Sequence, residues 1–255
     1  KHLSLIDGHD AVYVQHVLEG YRGRCPLGHH ATLAVPEQPG ALRVATSPFQ
    51  LGRTNPTLAG DPAQREYGCL EADRAFRDLA KVPLIWKDPR WGDLTRYPAR
   101  TGFTDLAAVY KKPGRTPAWT AATVQQAGYL WFSLKDAAVL PATVLWISNR
   151  GRHGPPWNGR NRCLGLEDVC AYFAEGLAAS VRANPVSRAG FPTAVTLSPK
   201  RPTTINYVQG VARVPRGFQT VRAVRFEKGK VVFTSVGGRS VSAAVRWEFL
   251  YDGQL

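Results

Sequence analysis

Hydrophobic and polar residues alternate with a period near two over much of the last third of the chain, most clearly over residues 220–226. This alternation is typical of β-strands that bury one face. Earlier segments are shorter and rich in β-branched and aromatic residues, which also favour strands. Together the patterns predict strands over residues 11–18, 31–35, 41–45, 127–134, 142–148, 194–197, 203–214, 218–226, 231–236 and 241–249.

Turn signals separate these predicted strands. Residues 227–230 (EKGK) predict a tight hairpin, residues 237–238 (GG) predict another turn, and the chain contains 24 Gly and 19 Pro. Short strands joined by such turns favour a sandwich or barrel over a doubly wound α/β sheet. We therefore expect an all-β protein with an antiparallel β-sandwich. No domain boundary is evident, so we expect a single domain over residues 1–255.

Helix signals are confined to two segments. Residues 64–79 and residues 166–183 place apolar residues at mixed spacing, and an Asn-Pro pair at residues 184–185 would end the second helix. We expect a short helix in each segment. Residues 81–115 are rich in Pro, Trp and Arg without a clear period. We expect a long loop there that covers one end of the sandwich.

Charge and composition narrow the classes of function. The net charge is +14, which can attract nucleic acid or acidic metabolites. The basic residues are scattered and no aromatic-and-basic RNA signature occurs, so a phosphorylated or acidic sugar matches the charge better than nucleic acid does. No apolar stretch approaches the ~18 residues of a membrane helix, and the four cysteines lack zinc-site spacing. We expect a cytoplasmic protein without a membrane segment or a metal.

The first candidate chemical segment is a pair of histidines. A Pro- and Gly-containing segment (GRCPLG) precedes His29 and His30, which come directly before the strand predicted over residues 31–35. Histidine suits proton transfer because its ordinary pKa lies near neutrality. Adjacent residues of a strand face opposite sides, so at most one of the two faces a given pocket wall. A purely structural role for the pair is the alternative.

The second candidate segment follows the strand predicted over residues 142–148. A loop dense in Trp, Asn, Arg and Gly leads into a short apolar strand over residues 163–166 and then directly into Glu167. Desolvation among apolar neighbours raises the pKa of a glutamate, which suits a general base. The alternative is a carboxylate that stabilises the N-terminus of the helix predicted over residues 166–183.

Together the two segments resemble the aldose 1-epimerase (galactose mutarotase-like) family. Its members contain a histidine in an H-x-[YT]-[FL] segment on a strand, which the tetrapeptide HATL beginning at His30 matches. Far downstream they contain a glutamate in a [GC]-[LIV]-E segment, which the tripeptide GLE ending at Glu167 matches. Trp146 and Trp157 are similar to the aromatic approach of the sugar-phosphate branch. The family's upstream sugar-binding arginine and histidine have no match before His30.

The resemblance implies a galactose mutarotase-like sandwich that converts the anomers of an aldose or sugar phosphate without a cofactor. In this family Glu167 would take the proton of the anomeric hydroxyl, and His30 would protonate the ring oxygen. Both groups would lie on one concave face, about one sugar ring apart. The predicted substrate contacts are His29, Trp157, Asn158, Arg162 and Asp105. For Asp105 a turn cap is the alternative.

Three other functions stay open at this point. The first is a non-catalytic carbohydrate-binding protein on the same fold, because a fold does not determine a function. The second is an accessory domain of a polysaccharide-degrading enzyme. A glycoside hydrolase itself needs two carboxylates that flank the scissile bond, whereas the adjacent Glu167 and Asp168 point apart on an extended chain. The third is a nucleic-acid-binding protein that uses the net positive charge.

Overall fold

The computed structural model describes residues 1–255 and shows a protein built from strands. Strand accounts for 45% of the residues and helix for 8%, which confirms the predicted all-β class. The three α-helices are one or two turns long and lie in the last third of the chain: α1 Gly176–Val181, α2 Pro185–Arg188 and α3 Phe249–Asp252. None of them is long and apolar enough to cross a membrane.

Twenty strands make up the sheets, and many of them are only two or three residues long. Their bounds are β1 His2–Ser4, β2 Ala11–Leu18, β3 Gly23–Cys25, β4 Leu27–Ala34, β5 Leu42–Thr46, β6 Leu51–Thr54, β7 Ala75–Phe76, β8 Val82–Pro83, β9 Trp91–Gly92, β10 Arg96–Tyr97, β11 Phe103–Tyr110, β12 Ala118–Val124, β13 Tyr129–Lys135, β14 Ala142–Asn149, β15 Arg162–Cys170, β16 Val195–Leu197, β17 Thr203–Arg213, β18 Val221–Glu227, β19 Lys230–Ser235 and β20 Ser240–Ala244.

Two large antiparallel sheets face each other. The seven-stranded sheet has the order β1-β2-β17-β13-β12-β5-β10, and the six-stranded sheet has the order β4-β15-β14-β11-β6-β7. Alternate residues of both sheets point into the space between them, as the pleat of a strand requires. Leu42 and Val44 of the first sheet and Leu145, Leu164 and Leu166 of the second belong to one buried apolar cluster there. The predicted antiparallel sandwich is therefore confirmed.

A third layer covers the other face of the seven-stranded sheet. It consists of the three-stranded sheet β18-β19-β20 and helix α3. Phe132 of β13 packs on Phe233 of β19, with ring centroids 4.9 Å apart. The seven-stranded sheet is therefore covered on both faces, which explains why β12 and β13 are buried almost throughout.

The outer face of the six-stranded sheet is covered only in part. Tyr172, Phe173, Val186 and Phe191, from the segment that contains α1 and α2, pack against residues of β11 and β14. The part of this face nearest to β4 and β15 is left open. This opening is where the cleft described below lies.

The predicted strands agree with the structure within a few residues, and the hairpin at residues 227–230 is confirmed by the pairing of β18 with β19. The last predicted strand is too long, since β20 ends at Ala244 and Phe249 begins α3. The segment predicted as a long loop, residues 81–115, contains the interior strand β11, which pairs with both β6 and β14. The sequence pattern also missed β6, the interior strand β12 of the seven-stranded sheet, and the strands of two or three residues β1, β3 and β7 to β10.

Both predicted helices are wrong in their placement. The first residue of the segment 64–79 is the last residue of a single 3-10 turn. This turn ends where Arg65 adopts a left-handed backbone with φ 62°. The later residues of the segment form turns and β7. In the segment 166–183, the first five residues belong to β15, which pairs with β14 and β4. Only α1 remains of the second predicted helix, because ladder pairing on both sides holds the preceding residues extended.

Candidate active site

Strands β4 and β15 are neighbours, and their register places two histidines opposite two carboxylates. His30 lies across from Glu167, and His29 lies across from Asp168. Successive residues of a strand point to opposite faces. The first pair therefore lies on the open outer face of the six-stranded sheet, and the second pair points toward the seven-stranded sheet.

The outer pair is in direct contact. His30 Nε2 lies 3.1 Å from Glu167 Oε1, and the two side chains are 56% and 16% exposed. The other ring nitrogen of His30, Nδ1, lies 3.1 Å from the hydroxyl of Thr32, two residues along the strand. Burial raises the pKa of the Glu167 carboxyl above its usual range, and the charge of His30 opposes this shift. The arrangement provides a proton donor and a proton acceptor at one point of the surface.

The pair lies in a cleft of about 520 Å³. This volume is within the range of small-molecule sites. Trp146 and Trp157 form an aromatic wall, with ring centroids 5.2 Å apart, and Trp146 meets the His30 ring edge-on at 5.7 Å. Gly165 leaves space beneath the pair, since a Cβ there would lie 2.9 Å from Glu167 Oε1. The cleft is lined by His30, Thr32, Ala59, Leu106, Val144, Trp146, Arg152, Trp157, Asn161, Cys163, Glu167, Phe173 and Ala174.

The loop that supplies Trp157 is fixed by a buried carboxylate, Glu66. Its Oε1 accepts the backbone N–H groups of His153, at 2.7 Å, and Gly154, at 3.1 Å. Its Oε2 lies 3.5 Å from the Arg152 guanidinium. Burial opposes ionisation of Glu66, but backbone hydrogen bonds from Gly154, His153 and Asp61 and the charge of Arg152 together hold its pKa below the usual range. Glu66 therefore orients this loop, and with it the aromatic wall of the cleft.

Two polar residues of this loop line the cleft with an unpaired atom each. Arg152 Nε and Asn161 Oδ1 are buried and have no hydrogen-bond partner. A buried polar atom without a partner costs about 1–3 kcal/mol. Neither residue was predicted from the sequence, because nothing in the loop sequence separates them from the neighbouring Arg and Asn. Thr32 was not predicted either, although it lies two residues after His30 on the same strand and therefore on the same face.

The inner pair has a different environment. The His29 ring stacks on Tyr207, with centroids 3.9 Å apart, and its Nε2 is buried without a partner. Burial lowers the pKa of His29 to about 4, and nearby His16 adds to the shift. Asp168 is fully buried and binds Lys135 Nζ at 2.6 Å. It also accepts hydrogen bonds from the hydroxyls of Ser133, Thr143 and Tyr207.

The structure therefore brings together three of the predicted site residues, Glu167, His30 and Trp157. His29 points into the sandwich. Asn158 is exposed in a turn with φ 49° and does not line the cleft. Arg162 does not line it either, because its Nε donates to the carbonyl of Val35 at 2.6 Å and its terminal nitrogen reaches Glu37 at 2.8 Å.

Asp105 also lies outside the cleft. Its carboxylate accepts the backbone N–H groups of Cys69 and Leu70, at 2.9 Å each. Burial raises the pKa of Asp105 to about 6, and these backbone hydrogen bonds oppose the shift. Asp105 therefore holds a segment of the chain in place through contacts that are remote in sequence, and it is not the cap of a local turn, which was the alternative considered for it. No group of three or more His, Cys, Asp or Glu side chains is placed to hold a metal ion.

Fold and site define an antiparallel β-sandwich whose open cleft contains a histidine–carboxylate pair beside two tryptophans. No protein-family model matches the sequence, and no curated protein matches it. Two solved structures are similar to it. One is a candidate aldose 1-epimerase from Klebsiella pneumoniae subsp. pneumoniae, at 12% identity and a TM-score of 0.47 over 82% of this chain and 44% of the other.

The second is a galactose mutarotase related enzyme from Lactobacillus acidophilus, at 9% identity and a TM-score of 0.46 over 82% of this chain and 59% of the other. The chain thus spans about half the length of these two proteins. The descriptions of both neighbours name the family that the two short motifs resemble.

Proposed function

We propose that the chain binds an aldose in the cleft and converts its anomers, as an aldose 1-epimerase-like isomerase that needs no cofactor. The observation that supports this proposal is the contact between His30 and Glu167 on an open face, beside two tryptophans. Mutarotation needs one acid and one base close to the anomeric carbon. General acid–base groups of this kind typically contribute about 10²–10⁴-fold each.

The distance between the two groups differs from the sequence-based expectation. We expected His30 and Glu167 to lie one sugar ring apart, but their nearest atoms are 3.1 Å apart. A close pair still suits the chemistry, because the anomeric hydroxyl and the ring oxygen are bonded to the same carbon. The two reacting oxygens therefore lie side by side. A sugar presenting this edge would exchange the Nε2–Oε1 contact for one hydrogen bond to each group.

The proton transfers follow from this arrangement. The Glu167 carboxylate takes the proton of the anomeric hydroxyl while protonated His30 donates a proton to the ring oxygen. The bond between C1 and the ring oxygen breaks, and its electron pair stays on that oxygen, which becomes a hydroxyl. C1 becomes an aldehyde. Rotation about the C1–C2 bond presents the other face of the aldehyde, and ring closure reverses both transfers.

The remaining cleft residues suit a polyhydroxylated ligand. The faces of Trp146 and Trp157 offer apolar surface for the C–H groups of a pyranose. Arg152 and Asn161 line the same cleft, and guanidinium and amide groups hydrogen-bond sugar hydroxyls.

Polarimetry on freshly dissolved α-glucose and α-galactose tests the proposal. We expect the wild-type protein to accelerate mutarotation of at least one of them, and Glu167→Gln to lower kcat/KM about 100-fold or more, because the amide cannot accept the proton. The matched control is Glu19→Gln, which removes a carboxylate from an exposed position. We expect this control to retain the wild-type rate.

Two outcomes would overturn the assignment. An unchanged rate in Glu167→Gln would remove the base from the mechanism. Saturable sugar binding by calorimetry, without any acceleration by the wild-type protein, would favour the non-catalytic carbohydrate-binding alternative. Circular dichroism of each variant shows whether the fold is intact.

A further inference from the structure

A second cavity lies away from the cleft and shares no residue with it. It is an open groove of about 680 Å³, and four arginines are among the residues that line it. They are Arg43, Arg77, Arg96 and Arg222, and Asp78 is the sole carboxylate that lines the groove with them. The proposed mutarotation uses none of these residues.

The groove is lined by residues of β5, β10, β18 and the segment after β7, whereas the strands that line the cleft are β4, β11, β14 and β15. On β5, Arg43 stands between Leu42 and Val44, which point toward the six-stranded sheet. Arg43 therefore points to the other face of the seven-stranded sheet, where β18 supplies Arg222. Leu166 and Asp168, the two neighbours of Glu167 on β15, point toward the seven-stranded sheet. Glu167 therefore points away from that sheet. A ligand in the groove would leave the cleft free.

The positive charge of the groove is only partly compensated within the protein. Arg96 lies 3.3 Å from Asp93, and Arg77 donates to the carbonyl of Gln50. The guanidinium groups of Arg43 and Arg222 make no ion pair or side-chain hydrogen bond. Asp78 accepts the N–H of Ala80 and so closes a local turn. Four like charges in one groove repel one another, and an anion among them would offset this repulsion.

The lining also indicates which kind of anion fits. Planar guanidinium groups match the oxygen geometry of phosphate, to which they can donate two parallel hydrogen bonds. Phe49 and Val236 contribute apolar surface to the same groove, which a bare inorganic ion would leave uncovered. The volume is that of a small-molecule site. We propose that the groove binds a small organic phosphate, with its phosphoryl group on the arginines and its organic part against the apolar wall.

Isothermal titration calorimetry with phenyl phosphate tests this proposal, with inorganic phosphate and phenol as comparators. We expect one saturable site on the full chain, with phenyl phosphate binding more tightly than either comparator. The variant Arg43→Gln/Arg222→Gln is expected to weaken phenyl phosphate binding about tenfold or more, because two charge-assisted contacts are lost. The matched control is Arg115→Gln/Arg188→Gln, which removes the same charge from exposed positions outside the groove. This control is expected to retain the wild-type Kd.

The proposal is overturned if the wild-type protein shows no saturable phenyl phosphate binding with a Kd below about 10 mM. It is also overturned if both double variants weaken binding equally, since net charge alone would then be responsible. Tighter binding of a single-stranded oligonucleotide, weakened to the same extent in both variants, would instead indicate a diffuse nucleic-acid surface. The mutarotation rate of Arg43→Gln/Arg222→Gln is expected to match wild type, so this test is independent of the proposed activity.

Discussion

Consecutive residues of β4 and β15 form two histidine–carboxylate pairs that differ in the face of the sheet they occupy. The cleft pair, His30 and Glu167, is a direct contact at 3.1 Å. In the core pair, His29 stacks on Tyr207, whose hydroxyl donates to Asp168, and Asp168 also binds Lys135, so the histidine and the carboxylate are joined through Tyr207 and not by a direct contact. The register of one strand pairing thus places the same two residue types in two different environments.

The difference shows that the surroundings of a carboxylate decide whether it stabilises the fold or is free to take part in chemistry. Asp168 has four side-chain partners and joins β15 of one sheet to β13 and β17 of the other. Glu167 has one partner, and burial raises its pKa. A carboxylate with all its lone pairs occupied holds the sandwich together, whereas one with a single exchangeable partner can accept a proton from a ligand.

The largest expected effect comes from breaking the core network. Asp168→Ala leaves the ammonium of Lys135 buried without its counter-charge, and we expect the free energy of unfolding to fall by about 3–5 kcal/mol. The matched change on the cleft face is Glu167→Ala, which breaks a partly exposed pair and should cost less than about 1 kcal/mol. Urea denaturation of both variants measures this contrast. Similar losses in the two variants would contradict the division of roles.

A smaller effect is expected from the pH dependence of the core histidine. Burial lowers the pKa of His29 to about 4, so between pH 6.5 and 4 the folded state binds fewer protons than the unfolded state. The stability contributed by neutral His29 is present above pH 6.5 and is lost as the pH falls toward 4, by on the order of 3 kcal/mol. His29→Phe keeps an aromatic ring beside Tyr207 but cannot titrate. We expect its free energy of unfolding to fall less over this window.

Chemical denaturation at a series of pH values compares wild type with His29→Phe. The difference between the two curves is the quantity of interest, because it cancels the titration of the other groups. Parallel curves would show that His29 becomes protonated in the fold as readily as in the unfolded chain, which would contradict the buried environment described here.

Much of the fold could be predicted from the sequence, because strands that bury one face show a period of two. The errors lie where two signals compete. Residues 166–170 resemble the start of a helix, but pairing with β14 and β4 on both sides decides their conformation. The strand β11 was missed because it lies in a Pro- and Trp-rich segment and is buried on both faces near its end, which removes the alternation.

The centre of the candidate site could also be predicted, but its periphery could not. Because alternate residues of β4 face opposite sides, only one of the two histidines can reach the cleft. Ala31 and Leu33 pack in the core on the same face as His29, so His30 is the histidine on the cleft face. Arg152 lies in a loop that Glu66, remote in sequence, holds in place. No local pattern in the sequence encodes such a long-range contact.

The most direct test of the central claim is a double-mutant cycle on kcat/KM for mutarotation, measured by polarimetry. If His30 and Glu167 exchange protons with the sugar as one unit, either Glu167→Gln or His30→Gln removes the function of the pair. We predict that the double variant is no slower than the slower single variant. A double variant whose loss equals the product of the two single losses would show that the residues act independently, and would contradict the account.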